Sequence, residues 1–311
     1  MSGFRSYCEE SKIYEKDGLE FYDTTVHMEG ITRPVTIYVS SDVHIAHLDL
    51  EDGLARRHFV TLRRIYFPDA PDVFDSIIDI TKRDRPDYSI MLGDTADFPS
   101  DANLRQLSRF KDPCFGPYLG VFGNHDDNYP EEKATYDERL KYREKLYKFT
   151  EDDLGIYRDV TPEHFKNGKY AFRAVDLGEV IIAGGDNVRP EGKSAIKEAV
   201  DELKGLGKPI ILCMHVPVSS DSLDPKINVV WKTNSRKPAL SEYCDEKAVS
   251  LVLTGHVHFF ANCVTQDGTP QLVFTSTENK SRELDKLDGL NKDWPCFWGG
   301  MGVVRLIPIT G

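Results

Sequence analysis

The chain has 311 residues, of which 40% are hydrophobic and 11% aromatic. This composition is typical of folded globular proteins and excludes wholesale disorder. Lys and Arg total 39 against 51 Asp and Glu, and the resulting net charge of −12 disfavours a basic nucleic-acid-binding surface. The longest apolar run, residues 209–214, is far shorter than the roughly 18 residues that a membrane-spanning helix needs. The N-terminal segment has no apolar stretch of the kind found in secretory signals, so we expect a cytoplasmic protein.

The six cysteines are spread along the chain, and no two of them form a Cys-x-x-Cys pair. They are Cys8, Cys114, Cys213, Cys244, Cys263 and Cys296. A zinc ribbon or a thioredoxin-type redox pair needs such close spacing. The sequence therefore predicts free thiols in a reducing compartment.

Strand-like and helix-like segments alternate from about residue 35 to residue 276, which is the pattern of an α/β protein. The predicted strands are short, rich in Val, Ile, Leu and Tyr, and bounded by Gly, Pro or Asp. They are Val35–Ser41, Tyr88–Gly93, Pro117–Gly123, Tyr170–Asp176, Glu179–Gly184, Pro209–His215, Val249–Gly255 and Gln271–Ser276. Several are apolar almost throughout, as strands buried on both faces are.

Three helices are predicted between these strands. The first covers residues 73–80, where apolar residues recur at helical spacing after the start signals Asp69 and Pro71. The second covers the highly charged segment 131–149, and the third covers residues 192–204, with Gly205 as its stop.

Two stretches, 217–240 and 278–300, show no clear period and contain Pro, Asn, Lys and Trp. We interpret both as long surface loops, which are often functional in compact domains. Nothing marks a linker, so we expect one domain over residues 1–311 with its motif core at about 35–276.

Polar clusters follow five of the predicted strands. They are Asp42-Val43-His44, Gly93-Asp94, Gly123-Asn124-His125-Asp126, His215 and Gly255-His256-Val257-His258. In an open α/β sheet, sites form outside the carboxyl ends of the strands. We therefore expect all five clusters to converge on one edge.

The residue types in these clusters suit a pair of metal ions. Carboxylate, imidazole and amide oxygen ligands fit Mn, Fe or Zn, and one carboxylate can bridge two cations. Glycine precedes the ligand in three clusters, which allows the backbone to approach closely. Each motif alone is weak, because Asp-x-His is usually a strand-end turn and a lone His is usually a buried core residue. Their joint order supports a two-metal site of the kind that acts on phosphate esters.

The ordered set of motifs resembles the calcineurin-like metallophosphoesterase superfamily. The resemblance implies a four-layer αββα sandwich of two mixed β-sheets flanked by helices. It also implies hydrolysis of a phosphate ester by a metal-bound hydroxide, with His125 as a catalytic histidine beside the metals. The implied ligands are Asp42, His44 and His258 for one metal, Asn124, His215 and His256 for the other, and Asp94 as a bridge.

Asp97 lies three residues after Asp94, and in related enzymes that position pairs with the catalytic histidine. A carboxylate on an imidazole fixes its tautomer and raises its basicity. The alternative is that Asp97 caps the following helix, a role for which Ser100 and Asp101 compete. Asp126 is a less favoured partner for His125.

Two departures from the superfamily pattern narrow the class. Protein Ser/Thr phosphatases have an arginine directly after the position of Asp97, where this chain has Phe98. They have another just before Gly-Asn-His, where this chain has Phe122. The bidentate phosphate clamp of arginine is missing at these places. The motifs look more like those of class III cyclic-nucleotide phosphodiesterases and assorted bacterial phosphoesterases.

The sequence therefore predicts a metal-dependent phosphoric ester hydrolase that favours a small phosphodiester. A phosphomonoesterase or a nuclease on the same site is an alternative, although the charge disfavours nucleic acid. A non-catalytic scaffold is another, and it would be expected to lose ligands that this chain keeps.

Several other residues carry open predictions. His47 either faces the pocket or lies in a surface loop. Four arginines either contact phosphate or line a solvated helix face. Three aromatic residues either stack on a ligand or pack a loop onto the sheet. The arginines are Arg56, Arg57, Arg63 and Arg64, and the aromatic residues are Trp294, Phe297 and Trp298.

Overall fold

Two seven-stranded β-sheets face each other in this computed structural model. The structure describes residues 3–47, 60–61, 63–64, 67–98, 100–111, 118–126, 158–166, 172–220, 239–277 and 300–310. No helix within these ranges is long and apolar enough to cross a membrane.

The first sheet is mixed. Its strands are β1 (Ser6–Cys8), β2 (Lys12–Lys16), β3 (Leu19–Met28), β4 (Val35–Ser40), β5 (Tyr88–Met91), β6 (Tyr118–Gly120) and β14 (Gly300–Pro308). Their order is β1-β3-β14-β4-β5-β6, and β2 also pairs with β3. β4, β5 and β6 are parallel, whereas β14 runs parallel to β3 and antiparallel to β4.

The second sheet is also mixed and is parallel at its centre. Its strands are β7 (Arg158–Asp159), β8 (Arg173–Asp176), β9 (Ile181–Gly184), β10 (Ile210–Cys213), β11 (Leu251–Thr254), β12 (Ala261–Val264) and β13 (Pro270–Val273). Their order is β12-β13-β11-β10-β9-β8-β7, with β9, β10, β11 and β13 parallel.

The core follows the two-residue period of the strands. In β10, Ile211 and Cys213 lie in the core cluster that contains residues of both sheets, whereas Ile210 and Leu212 pack with the helix outside. Successive side chains of a strand point to opposite faces, so a strand covered on both sides is apolar throughout.

Helices cover the outer faces of both sheets. They are α1 (Ala70–Asp84), α2 (Asp101–Leu107) and α3 (Pro190–Leu203). Phe74 and Ile78 of α1 pack against the first sheet, and Ile196 and Val200 of α3 pack against the second. The four layers confirm the predicted αββα sandwich.

The eight predicted strands are all present, with ends that shift by a few residues. The strands outside 35–276 and the strands β7 and β12 within that range were not predicted. β14 is the most consequential of them because it lies between β3 and β4. Gly300 and Gly302 in β14 weaken its strand signal, and Asp23, Thr24 and Thr25 interrupt the apolar pattern of β3.

The prediction that Gly205 stops the third helix was wrong. A 3-10 turn at Lys204–Leu206 continues from α3, and Gly207 then ends it with φ of 67°. The left-handed conformation is easily adopted by glycine, which makes Gly207 the C-terminal signal.

Several predictions lie outside the described residues. These are the helix at 131–149, most of the loop 217–240, all but the last residue of 278–300, and the environments of Cys114 and Cys296. The other four cysteines are free thiols, as predicted.

Gly302 marks a close contact between the two sheets, because a Cβ placed on it would overlap the ring of Phe274. We expect Gly302→Ala to lower the free energy of unfolding by about 1–3 kcal/mol through overpacking. Gly205→Ala is the control, since a Cβ there meets nothing within 4 Å. Urea unfolding of both variants measures the difference, and equal midpoints would contradict the close packing.

Candidate metal centre

The seven predicted ligands lie together beyond the carboxyl ends of five strands, three in the first sheet and two in the second. Asp42 and His44 follow β4, Asp94 follows β5, His215 follows β10, and the pair His256 and His258 follows β11. Asn124 lies beyond the end of β6. The first sheet therefore supplies the carboxylates, and the second supplies three of the four histidines.

One group of ligands consists of Asp42, His44 and His258, whose donor atoms lie within 4.8 Å of one another. His258 Nε2 is 3.2 Å from Asp42 Oδ1 and 3.3 Å from His44 Nε2. The other oxygen, Asp42 Oδ2, accepts hydrogen bonds from the His256 amide at 2.9 Å and from the Ser41 hydroxyl. Apart from His258 Nε2, buried Asp42 Oδ1 has no donor among the described residues, and a bound cation would satisfy it.

The second group contains Asp94, His215 and His256, also within 4.8 Å. His215 Nε2 is its centre, at 3.2 Å from Asp94 Oδ2, from His256 Nδ1 and from Asn124 Oδ1. Two imidazoles, one carboxylate and one amide oxygen thus converge, which is a donor set for a first-row transition metal.

Asp94 faces both groups. Its Oδ2 lies 3.2 Å from His215 Nε2 and 4.0 Å from His44 Nε2. Its Oδ1 accepts a hydrogen bond of 2.7 Å from the backbone amide of His125, which holds Oδ2 in that direction. This is the placement that a carboxylate shared by two cations needs.

Hydrogen bonds orient two of the imidazoles. His215 Nδ1 lies 2.8 Å from the carbonyl oxygen of Leu92, and His44 Nδ1 lies 3.0 Å from Asp97 Oδ1. Each acceptor assigns the proton to Nδ1, so Nε2 keeps the lone pair that binds a metal.

The backbone at the ligands is strained. Five of the seven have positive φ, namely Asp42 at 52°, His44 at 57°, Asp94 at 48°, His256 at 70° and His258 at 56°. Residues with side chains rarely adopt this conformation, and it persists only where the surroundings enforce it. Hydrogen bonds between the loops provide that enforcement, such as His44 N to the Asp94 carbonyl at 2.9 Å.

Glycines allow these loops to approach each other. A Cβ on Gly255 would overlap the hydroxyl of Ser41 and carboxylate oxygen Oδ2 of Asp42, and one on Gly123 would overlap Asp94. The close approach that the sequence predicted for these glycines is therefore present, and it brings the loops of β11 and β6 onto the carboxylates.

The carboxylate charges at the centre favour the binding of cations. Burial alone would lower the pKa of His215, but the charges of Asp94 and Asp42 raise it to about 10. Burial and the charge of His215 lower the pKa of His256 to about 4. The two carboxylates thus favour a positive charge beside them, which a proton on His215 supplies in the absence of metal. A bound metal would supply that charge instead, because an imidazole must lose this proton to bind a metal.

Asp126 is a structural carboxylate rather than a partner of His125. Its buried oxygens accept hydrogen bonds from the amides of Asp94 at 2.8 Å, Ala96 at 3.0 Å and Gly123 at 2.7 Å. Burial and the charge of Asp94 raise the pKa of Asp126 to about 7. The side chain fastens the loop after β5 to the loop after β6.

His125 lies beside the ligands and against Asp97. Its Nδ1 is 3.3 Å from Asp97 Oδ1, its ring centroid is 4.9 Å from that of His44, and its side chain is 26% exposed. Burial opposes protonation, but the charges of Asp94 and Asp97 raise the pKa of His125. Ser100 caps α2 by accepting from the Asn103 amide at 3.0 Å, so Asp97 is available to the histidine.

Arg63 is a functional candidate that sequence reasoning left open. Its Nε donates to Asp97 Oδ2 at 2.6 Å, a contact that spacing alone could not assign. Phe67 was not singled out, and its ring stacks on His44 with centroids 4.2 Å apart. His47 contacts Gln106 and Asn103 of α2, whereas Arg56, Arg57 and the aromatic residues at 294, 297 and 298 lie outside the described residues.

Comparison with known proteins identifies the family. The family model for calcineurin-like phosphoesterases matches residues 35–260, and the chain therefore belongs to that family. The matched residues include the candidate metal-ligand groups described above.

Individual relatives are more distant. The chain is 27% identical over 154 residues to the DNA double-strand break repair protein Mre11 of Sulfurisphaera tokodaii, an alignment of 47% of this chain and 34% of that protein. It thus spans about a third of that relative. Purple acid phosphatase PPD1 of yellow lupin has a TM-score of 0.50 and 13% identity, covering 93% of this chain and 56% of that one.

A dimetal phosphatase from Danio rerio has a TM-score of 0.45 and 14% identity, covering 79% of this chain and 88% of that one. At such identities, the likeness to the lupin enzyme concerns the fold alone.

Asp94→Asn tests the bridge. An amide cannot balance two cations at once, so we expect the variant to bind fewer than two equivalents of Mn²⁺ and to lose activity. Metal analysis after gel filtration measures this. The control is Glu198→Gln. Glu198 belongs to an exposed group, formed with His164 and Glu202, whose donor atoms also lie within 4.8 Å of one another. Two full equivalents of Mn²⁺ in an active Asp94→Asn protein would contradict a bridging role for Asp94.

Proposed function

We propose that the protein hydrolyses a small phosphodiester, with the seven ligands holding two metal ions of the Mn, Fe or Zn type. The observation that carries this proposal is the position of His125. It lies at the edge of the ligand cluster, 3.3 Å from Asp97 and partly exposed, and its donor atom is also close to those of His44 and Asp97. A residue that donates a proton to a leaving group must lie beside the metals and remain accessible to the substrate.

The two cations would supply positive charge to the phosphoryl oxygens and lower the pKa of a bound water. The chain's own contribution is orientation and proton transfer. Asp97 accepts the Nδ1 proton of His125, so Nε2 is the atom that delivers a proton to the departing oxygen. Asp97 stays ionised and stabilises the imidazolium before transfer.

The surroundings of the site favour a diester over a monoester. A phosphomonoester dianion carries more charge, and enzymes that act on it often bind it with an arginine fork. Phe98 and Phe122 occupy the places of the phosphatase arginines, and both are buried in apolar clusters. Arg63, the described arginine nearest to the ligands, is engaged with Asp97.

A nuclease is the second candidate, and the similarity to Mre11 favours it. The net charge of −12 argues against it, because affinity for DNA derives largely from Lys and Arg on phosphates. We therefore assign a small molecule as the substrate.

A substrate panel tests the proposal. It contains bis-p-nitrophenyl phosphate, p-nitrophenyl phosphate, 2′,3′- and 3′,5′-cyclic nucleotides, and single- and double-stranded DNA, each with Mn²⁺ and after chelation. We expect turnover of small diesters that exceeds turnover of the monoester and disappears on chelation. Preference for the monoester would replace the diester assignment, and cleavage of DNA above the small diesters would favour the nuclease.

His125→Ala tests the general acid. An alkyl phosphodiester expels a basic alkoxide that needs a proton, whereas p-nitrophenolate leaves without one. We expect a loss on the order of 10²–10⁴-fold on the alkyl ester and a clearly smaller loss on the nitrophenyl ester. Metal content should stay near that of the wild type.

The control for this variant is His27→Ala, because His27 pairs with Glu9 at the opposite end of the first sheet. Equal losses on the two esters would make His125 a stabiliser of charge and not a proton donor. Loss of metal would make it a ligand.

A further inference from the structure

Asp97 serves more than one partner. Its Oδ1 lies 3.0 Å from His44 Nδ1 and 3.3 Å from His125 Nδ1, and its Oδ2 accepts from Arg63 Nε at 2.6 Å. The carboxylate is fully buried. One oxygen therefore orients both a metal ligand and the proposed acid, while the other is occupied by an arginine.

Arg63 reaches Asp97 from a separate segment of the chain. Residues 60, 61, 63 and 64 are helical, and Val60 packs with Ala46 and Phe98 in an apolar cluster of its own. Only 17% of the Arg63 side chain is exposed. The guanidinium lies 4.8 Å from the ring of Phe67, the same ring that stacks on His44.

We propose that Arg63 is a positioning residue that acts through Asp97 on His44 and His125 together. A carboxylate rotates about its Cβ–Cγ bond unless both oxygens are held. The Arg63 bond to Oδ2 fixes that rotation, and so Oδ1 stays between the two Nδ1 atoms. Both imidazoles then present Nε2, one to a metal and the other to the leaving oxygen.

Contact with the substrate phosphate is the competing role for Arg63. The guanidinium is already engaged, because its Nε donates to the buried Asp97 Oδ2 at 2.6 Å. A phosphate contact would also act on binding, whereas positioning acts on metal affinity and on proton transfer. These effects are separable by experiment.

The test uses Arg63→Gln, Arg63→Lys and the control Arg64→Gln, which removes an exposed arginine from the same helical segment. Calorimetric titration of metal-free protein with Mn²⁺ is the first readout. For Arg63→Gln we expect one of the two equivalents to bind about 10–100-fold more weakly, the usual effect of losing a partner that orients a ligand. Arg63→Lys should recover part of the loss, and Arg64→Gln should match the wild type.

The second readout is kinetic. In Arg63→Gln, kcat on an alkyl phosphodiester should fall more than kcat on the nitrophenyl ester, with little change in KM. A raised KM with equal kcat losses and unchanged Mn²⁺ affinity would overturn positioning and assign a phosphate contact. Unchanged Mn²⁺ affinity in both Arg63 variants, with unchanged kinetics, would overturn any role at the site.

The kinetic half of this inference rests on the proposed function, but the metal-binding half does not. If the wild-type protein turns over none of the small esters, the proposed function fails, and the Mn²⁺ titration still decides the role of Arg63. Thermal unfolding of each metal-free variant separates a local effect from loss of the fold, and Arg63→Lys retains the charge if Arg63→Gln is unstable.

Discussion

The arrangement of the site depends on two carboxylates that are buried at the ends of adjacent strands. Asp42 and Asp94 are both nearly inaccessible to solvent, and a buried charge is tolerated only when it is paired or bound to metal. Strained backbone, close glycines and a ring of imidazoles surround them. The stable part of the fold, with apolar strands covered on both faces, supplies the rigidity that holds this unfavourable arrangement in place.

The sequence predicted the site best where polar residues directly follow an apolar strand. Gly255, His256 and His258 were readable because they follow an apolar strand and because four other polar clusters follow predicted strands in the same way. The fold class followed from the strand–helix alternation together with the resemblance. The polar interruptions of β3 and the glycines of β14 obscured strands that exist because of their neighbours in the sheet, which is a tertiary effect that local pattern cannot show.

The functional role of Arg63 was hidden for a related reason. An arginine in a helical segment has no signature that distinguishes a solvated face from an ion pair with a buried carboxylate. Its contact with Asp97 depends on how that segment packs, through Val60, against Phe98. The sequence indicated Asp97 as a partner of His125, whereas its second imidazole partner, His44, is evident only in the folded structure.

The position of β14 has a consequence for how the molecule is assembled. This strand separates β3 from β4 in the middle of the first sheet, and yet it is the last strand along the chain. During synthesis β4 and β5, which carry Asp42 and Asp94 at their ends, emerge long before the neighbour that completes their sheet. Contacts between residues so far apart in sequence form slowly, and chains are made at only about 5–20 residues per second. The final geometry of Asp42 at the end of β4 therefore depends on a strand that is synthesised long after β4 itself.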